Sequence, residues 1–348
     1  MPRLFRLWPK GDDAFADDVR ALRSLYEQGY AGCETRPKKV AAANEVFADA
    51  IGVAGGWPIG EDAARIFGIE DYGKGKLALN FLDVQALYPE ALPGPPQLVG
   101  DCVSKSQANA DLITVCCDCV RGKPDEISGL IEGAPDIPLE GQANGAFASE
   151  YTYGFRGYSS QGWQCSLGAK TSTQQGVFVL KNYAGWDLTN YTRATVSRYG
   201  RRPPNERYRV IGQQHLIRTA TRVTGMEQLR DFVAAGFGVT SCGGESFSST
   251  RNEHGVCKRT RAGWSHAMAV ASVDCRDKTV AKYGPLFLLQ NSWGDYCVGP
   301  RRVRGTSVDI PKGSFWARWE DIKRRSFYAM SSAMGWEPKR LHRIKTRW

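Results

Sequence analysis

The sequence predicts an α+β chain, on three observations: helical periodicity in the front half, a proline cluster that splits it, and strand-like runs behind. With 348 residues there is room for two domains, or for one large two-lobed unit carrying an extension.

Residues 1–95 read as an N-terminal helical extension or docking arm. Asp17 to Tyr30 places Val19, Leu22, Leu25 and Tyr26 at helical spacing, with Gly29 and Gly32 where a helix stops. Lys39 to Ile51 and Gly60 to Phe67 are weaker helical segments separated by GVAGGWPIG. The run LYPEALPGPPQ over 87–97 cannot continue a helix, so a new unit begins at about residue 96. From Cys102 the chain then runs without Gly or Pro through VSKSQANADLITVCCDCV. That predicts a helix with Cys102 at its N-terminus and Asn109, Ile113, Cys116 and Val120 on one stripe.

The middle, about 130–210, is rich in Gly, Tyr, Gln and Ser; it predicts one short helix from Ser166 to Gly176 and a loop at RRPPN, 201–205. The periodicity then changes. Met226 to Ala235 reads as a helix capped by Thr224 and stopped by Gly236. FGVTSC, HAMAVASVDC, PLFLLQNSW, SFWARW and FYAMSSAM read as strands of a small sheet or barrel. The expected division is therefore a helical lobe over about 96–205, a β-lobe over about 206–335 and a basic tail over 336–348.

Forty-six Lys and Arg against 36 Asp and Glu give +10, a balance that suits a polyanionic partner or a generically basic surface. Five of the cations lie in EPKRLHRIKTRW, 337–348, with Lys323, Arg324 and Arg325 just upstream. The tail could meet nucleic acid, or another protein subunit through Leu341, Ile344 and Trp348. No segment reaches the length of an apolar membrane span, and MPRLFRLWPKGDD turns charged before a signal-peptide core could form. Residence in a reducing cytoplasm follows as the expectation, with the ten cysteines as free thiols.

Three separated fragments carry a chemical pattern: GDCVS around Cys102, GWSHAM around His266 and LLQNSWGDY around Asn291. A thiol at a helix N-terminus beside an imidazolium is held as a nucleophilic thiolate. In this order and context the fragments resemble the papain-like cysteine proteases, in which a Cys begins a long helix, a His begins a strand and an Asn lies in N-S-W-G. The resemblance runs over roughly residues 96–335. It implies a two-lobed fold, a helical lobe plus a β-barrel-like lobe, and cleavage of peptide bonds through a Cys-His-Asn triad.

By that resemblance Cys102 attacks the carbonyl and His266 protonates the leaving amine, while the Asn291 side-chain carbonyl holds the imidazole and Trp293 shields it. Gln97 is the candidate oxyanion donor beside the Cys102 backbone N–H, although it lies five residues before the Cys where the family usually has six. Val103 and Val99 stand where relatives usually have an aromatic residue and a second Cys. Asp101 puts a carboxylate beside the nucleophile, which opposes the thiolate unless it is paired. The short G-D-C-V-S form and the P-K-G-S-F-W run resemble divergent phage and bacterial members, some of them virion components. An intact fold with lost activity, serving as a structural or virion assembly component, is the alternative.

Cys116 and Cys119 form a C-x-x-C with no second pair to complete a zinc site, and Cys116 stands about 21 Å along the helix from Cys102. These cysteines, with Cys257, Cys275 and Cys297, are expected to pack. No metal or other cofactor is implied; the expected partner is a polypeptide substrate.

Overall fold

In a computed structural model, the structure describes residues 64, 67–89, 91–121, 147–157, 160–180, 182–183 and 186–331. The helices expected over 17–30 and 39–51, most of the one over 60–67, and the basic tail lie outside the described residues.

Strand β1 (Leu77–Leu79) and helix α1 (Phe81–Leu87) lead to the proline cluster and to α2 (Cys102–Arg121). Helices α3 (Ser149–Gly154) and α4 (Cys165–Gln174) follow, then a small hairpin of β2 (Asn182–Tyr183) and β3 (Trp186–Asp187), then α5 (Arg193–Tyr199) and α6 (Glu206–Gly212). Behind them come β4 (Ala220–Val223), α7 (Met226–Ala234), β5 (Val239–Arg251), β6 (Cys257–Asp274), α8 (Asp277–Tyr283), β7 (Leu286–Gln290), β8 (Ser314–Arg318), α9 (Trp319–Ile322) and β9 (Ser326–Met330). The expected α+β class is the one found.

The main sheet is antiparallel, in the order β4-β9-β5-β6-β7-β8, with β1 added to the far end of β6 through Leu77 against Asp274. Two strands are longer than expected: β5 has 13 residues and β6 has 18, so His266 sits within β6. Register shifts after Gly243 bend this pair.

Helix α2 runs between the two halves, packing on α1, α3 and α4 on one side and on β5, β6 and β9 on the other. It is therefore buried almost all round as far as Cys117, and the single apolar stripe expected for it is not what organises it; Val120 is exposed and Asn109 only half-buried. Three of the polar residues this brings inside are paired across to neighbouring elements. Asp111 accepts from Ser172 Oγ at 2.6 Å and Gln107 Nε2 at 2.8 Å, Gln107 accepts from Thr240 Oγ1 at 3.0 Å, and Thr114 Oγ1 donates to the Met330 carbonyl at 3.0 Å. These bonds tie α2 to α4, β5 and β9.

Three further expectations change. Thr224 does not cap α7: Gly225 is the N-cap residue, and the Thr224 N–H donates to Gln228 Oε1 at 3.0 Å instead. The cysteines are not all free, because Cys165 at the head of α4 and Cys242 on β5 form a disulfide, with Cα atoms 6.4 Å apart. Spacing gave no hint of this pairing, since the partners are 77 residues apart and meet only where α4 packs on β5. Arg325, read as part of a basic surplus, is buried.

Candidate active site

The site grows out of three local structures. The proline cluster and Gly100 deliver Cys102 to the first turn of the 20-residue α2, with Asp101 supplying the carbonyl that accepts from Lys105 N–H at 3.0 Å. A long helix aims the positive end of its dipole at the sulfur and stabilises negative charge there. β6 carries His266 in its interior, and β7 ends at Gln290 so that Asn291 begins the turn N-S-W-G. Gly313 keeps this turn in place: a Cβ there would lie 2.1 Å from the Gly294 carbonyl oxygen, and its φ of +71° favours glycine.

The His266–Asn291 pair is formed, with Nε2 and Oδ1 2.9 Å apart. The tautomer follows from a neighbour. Asn291 Oδ1 also accepts the Ser292 backbone N–H at 2.8 Å, and a backbone amide can only donate. The atom facing His266 is thus an acceptor, Nε2 carries the proton, and Nδ1 keeps its lone pair for base chemistry. Trp293 stacks on the imidazole with ring centres 4.3 Å apart and 26° between planes. Trp264 and Tyr296 pack edge-on against Trp293 at 4.8 and 5.3 Å, completing an apolar wall.

Gln97 is buried and joins the two halves. Its backbone N–H donates to the Ser292 carbonyl at 2.7 Å, its Oε1 accepts from Ser292 Oγ, and its Nε2 donates to the Val99 carbonyl at 2.9 Å. One of its amide hydrogens is thereby engaged with the chain leading to Cys102.

Electrostatically the site departs from the preformed ion pair expected of it. Cys102, His266 and Asn291 have no exposed surface, and burial pushes the His266 imidazole down to about 3, with Arg325 adding to the effect and the Asn291 hydrogen bond opposing it. The resting imidazole is neutral. Asp101 is not a free carboxylate beside the sulfur either: Tyr191 Oη donates to its Oδ2 at 2.9 Å, and Lys105, whose Nζ lies 3.2 Å from the Tyr191 ring centre, is the stronger of its two cationic influences, ahead of Arg156. Burial pushes Asp101 up to about 6 against those partners, which offset only part of the cost of burying its charge.

Sequence reasoning passed over Ser292, Trp264, Glu245 and Arg325. The first two lie inside the quoted motifs; the others belong to no motif, and burial of opposite charges is invisible in a sequence. Among the described residues no group of His, Cys, Asp or Glu could hold a metal ion.

No family model and no curated protein matches this chain. Among solved structures it is similar to xylellain, a cysteine protease from Xylella fastidiosa, at 15% identity over 68% of this chain and 81% of that one, with a TM-score of 0.41. It is similar to procathepsin B from Trypanosoma congolense at 10% identity over 73% and 76% of the two chains, TM-score 0.39. A recombinant stem bromelain precursor is matched at 12% identity over 92% and 99%, TM-score 0.36. These neighbours are papain-like cysteine proteases.

Proposed function

We propose that this chain is a papain-like thiol peptidase in which Cys102 is the nucleophile, His266 the general base and acid, and Asn291 the residue that fixes the imidazole. The observation that carries the reading is the His266–Asn291 hydrogen bond of 2.9 Å beneath stacked Trp293, in a chain whose other motif residue begins a 20-residue helix. Because the resting imidazole is neutral, Nδ1 removes the Cys102 proton as the sulfur attacks the peptide carbonyl. The oxyanion is met by the Cys102 N–H and, through its second amide hydrogen, by Gln97. The imidazolium then gives its proton to the departing amine, and water repeats the sequence on the thioester.

Closure of the site favours a second reading, a papain-like protein with little or no turnover that serves as a structural or virion component. With no exposed surface on Cys102 or His266, a peptide must open the wall before it can bind. The test is hydrolysis of an unstructured protein substrate and of short peptide esters by the full chain. Cys102→Ala is expected to abolish it, and His266→Ala to lower it by about 10²- to 10⁴-fold. Equal rates in wild type and Cys102→Ala would remove the peptidase reading and leave the structural one.

A further inference from the structure

The residue just before β9, Arg325, crosses the sheet. Cys242 pairs with Ser326 on β9 and Gly243 pairs with His266 on β6, so Arg325, one step beyond Ser326, stands beside Gly243 with the backbone of His266 on the other side. Its guanidinium reaches over β5 and donates through Nη2 to the His266 carbonyl at 2.7 Å, through Nε to Ser241 Oγ at 2.7 Å and through Nη2 to the Ser241 carbonyl at 3.2 Å. Glu245 Oε2 lies 3.5 Å from Nη1, and both side chains are buried.

The passage exists because residue 243 has no side chain. A Cβ there would meet Arg325 Cγ at 2.7 Å and Glu245 Oε2 at 2.4 Å. The register shift between Gly243 and Glu245 brings the carboxylate into the same place. A buried ion pair of this kind gains little for stability over apolar residues of the same size, so its presence against one particular carbonyl calls for another role.

We propose that Arg325, with Glu245 and Gly243, is a positioning device for His266: it fixes the strand backbone from which the imidazole projects and sets the charge facing it. The inference rests on the peptidase reading for its purpose, but its physical content does not. A pinned carbonyl holds the Cα–Cβ direction of His266, so Nε2 stays on Asn291 and Nδ1 keeps the lone pair. The guanidinium also opposes protonation of the ring. Other charged or titratable groups lie on the elements packed against β6. Asp101, Cys102 and Lys105 stand at the head of α2 and Asp111, Cys116, Cys117, Asp118 and Arg121 further along it, Arg251 ends β5, Glu227, Arg230 and Asp231 lie on α7, and Arg318 ends β8.

The test uses the full chain labelled with ¹⁵N-histidine, the His266 signals being assigned by their loss in His266→Gln. At neutral pH the wild type is expected to show the Nε2–H tautomer alone. R325M/E245Q removes both charges without leaving one stranded; it is expected to show a mixture of tautomers, a ring that protonates about one pH unit higher, and a kcat at least tenfold lower with KM little changed. R325K keeps the charge but loses the fork, so tautomer mixing and the fall in kcat are expected without the change in protonation. Should R325M/E245Q not fold, R325K and G243A, which displaces the guanidinium, give the same tautomer reading. Folded variants with the wild-type tautomer, titration and kcat would overturn the proposal. If the wild type hydrolyses nothing, the peptidase reading fails while the tautomer and titration still decide on the clamp.

Discussion

The proton on His266 is placed by a residue that takes no part in the proposed reaction. Ser292 offers Asn291 a backbone N–H, which turns the Asn carbonyl outward and fixes the imidazole tautomer. Replacing Asn291 with Ala removes that constraint yet leaves the base, so Asn291→Ala is expected to slow kcat by less than His266→Ala does, with Cys102 alkylation still favoured by rising pH. Steady-state rates of the two variants, each checked for folding by circular dichroism, decide this; a larger loss in Asn291→Ala would reverse the assigned roles. Cys102, His266, Asn291 and Trp293 were legible as residue types in a fixed order, because each chemical role tolerates few alternatives. The ionisation of His266 was not, since it depends on exclusion of water and on a guanidinium 59 residues away.

Helix α2 shows how an element can be found in the sequence and misjudged in its setting. Absence of Gly and Pro foretold its length, whereas its burial almost all round as far as Cys117 comes from neighbours on both flanks. The cost of that burial falls on Asp111, whose partners Ser172 and Gln107 are neutral. Burial pushes it up to about 7, against the downward pull of the two hydrogen bonds. The folded chain therefore holds this proton more tightly than the unfolded chain does. Its stabilising contribution is full below pH 3.8 and is lost as pH rises to about 7. Asp111→Asn should remove this share of the dependence: thermal melts from pH 4 to 7 are expected to fall less steeply in the variant, with a gain of a few kcal/mol at the upper end. Parallel curves would show that the carboxyl is ionised when folded. A comparison of variant with wild type is needed because other buried groups titrate in the same range: Asp101, raised to about 6, works in the same sense, and His266, with its lowered value, in the opposite one, adding stability as pH rises from about 3 to 6.5.

At the scale of the whole molecule, one hydrophobic core includes residues of both the helices and the sheet, and the Cys165–Cys242 disulfide links α4 to β5 across it. Closing a loop of 77 residues removes unfolded-state entropy equivalent to about 4 kcal/mol. Cys165→Ser is thus expected to lower stability by about 2–4 kcal/mol and the melting temperature by several degrees, while Cys257→Ser, which breaks no cross-link, changes it less. A melting temperature indifferent to Cys165→Ser and to reductant would mean that the pair is not joined in solution.

By itself the sequence determined the α+β class, the start of α2 at Cys102, the strand that carries His266 and the turn that carries Asn291. Periodicity, glycine and proline placement and a few chemically irreplaceable side chains act locally, so they can be read along one dimension. Only the tertiary structure decided that Cys165 meets Cys242, that Asp101 is buried against Tyr191 with Lys105 beside it, and that Arg325 crosses Gly243 to hold the His266 carbonyl. Those outcomes depend on which strands become neighbours and on where water is excluded, and both are properties of the assembled core.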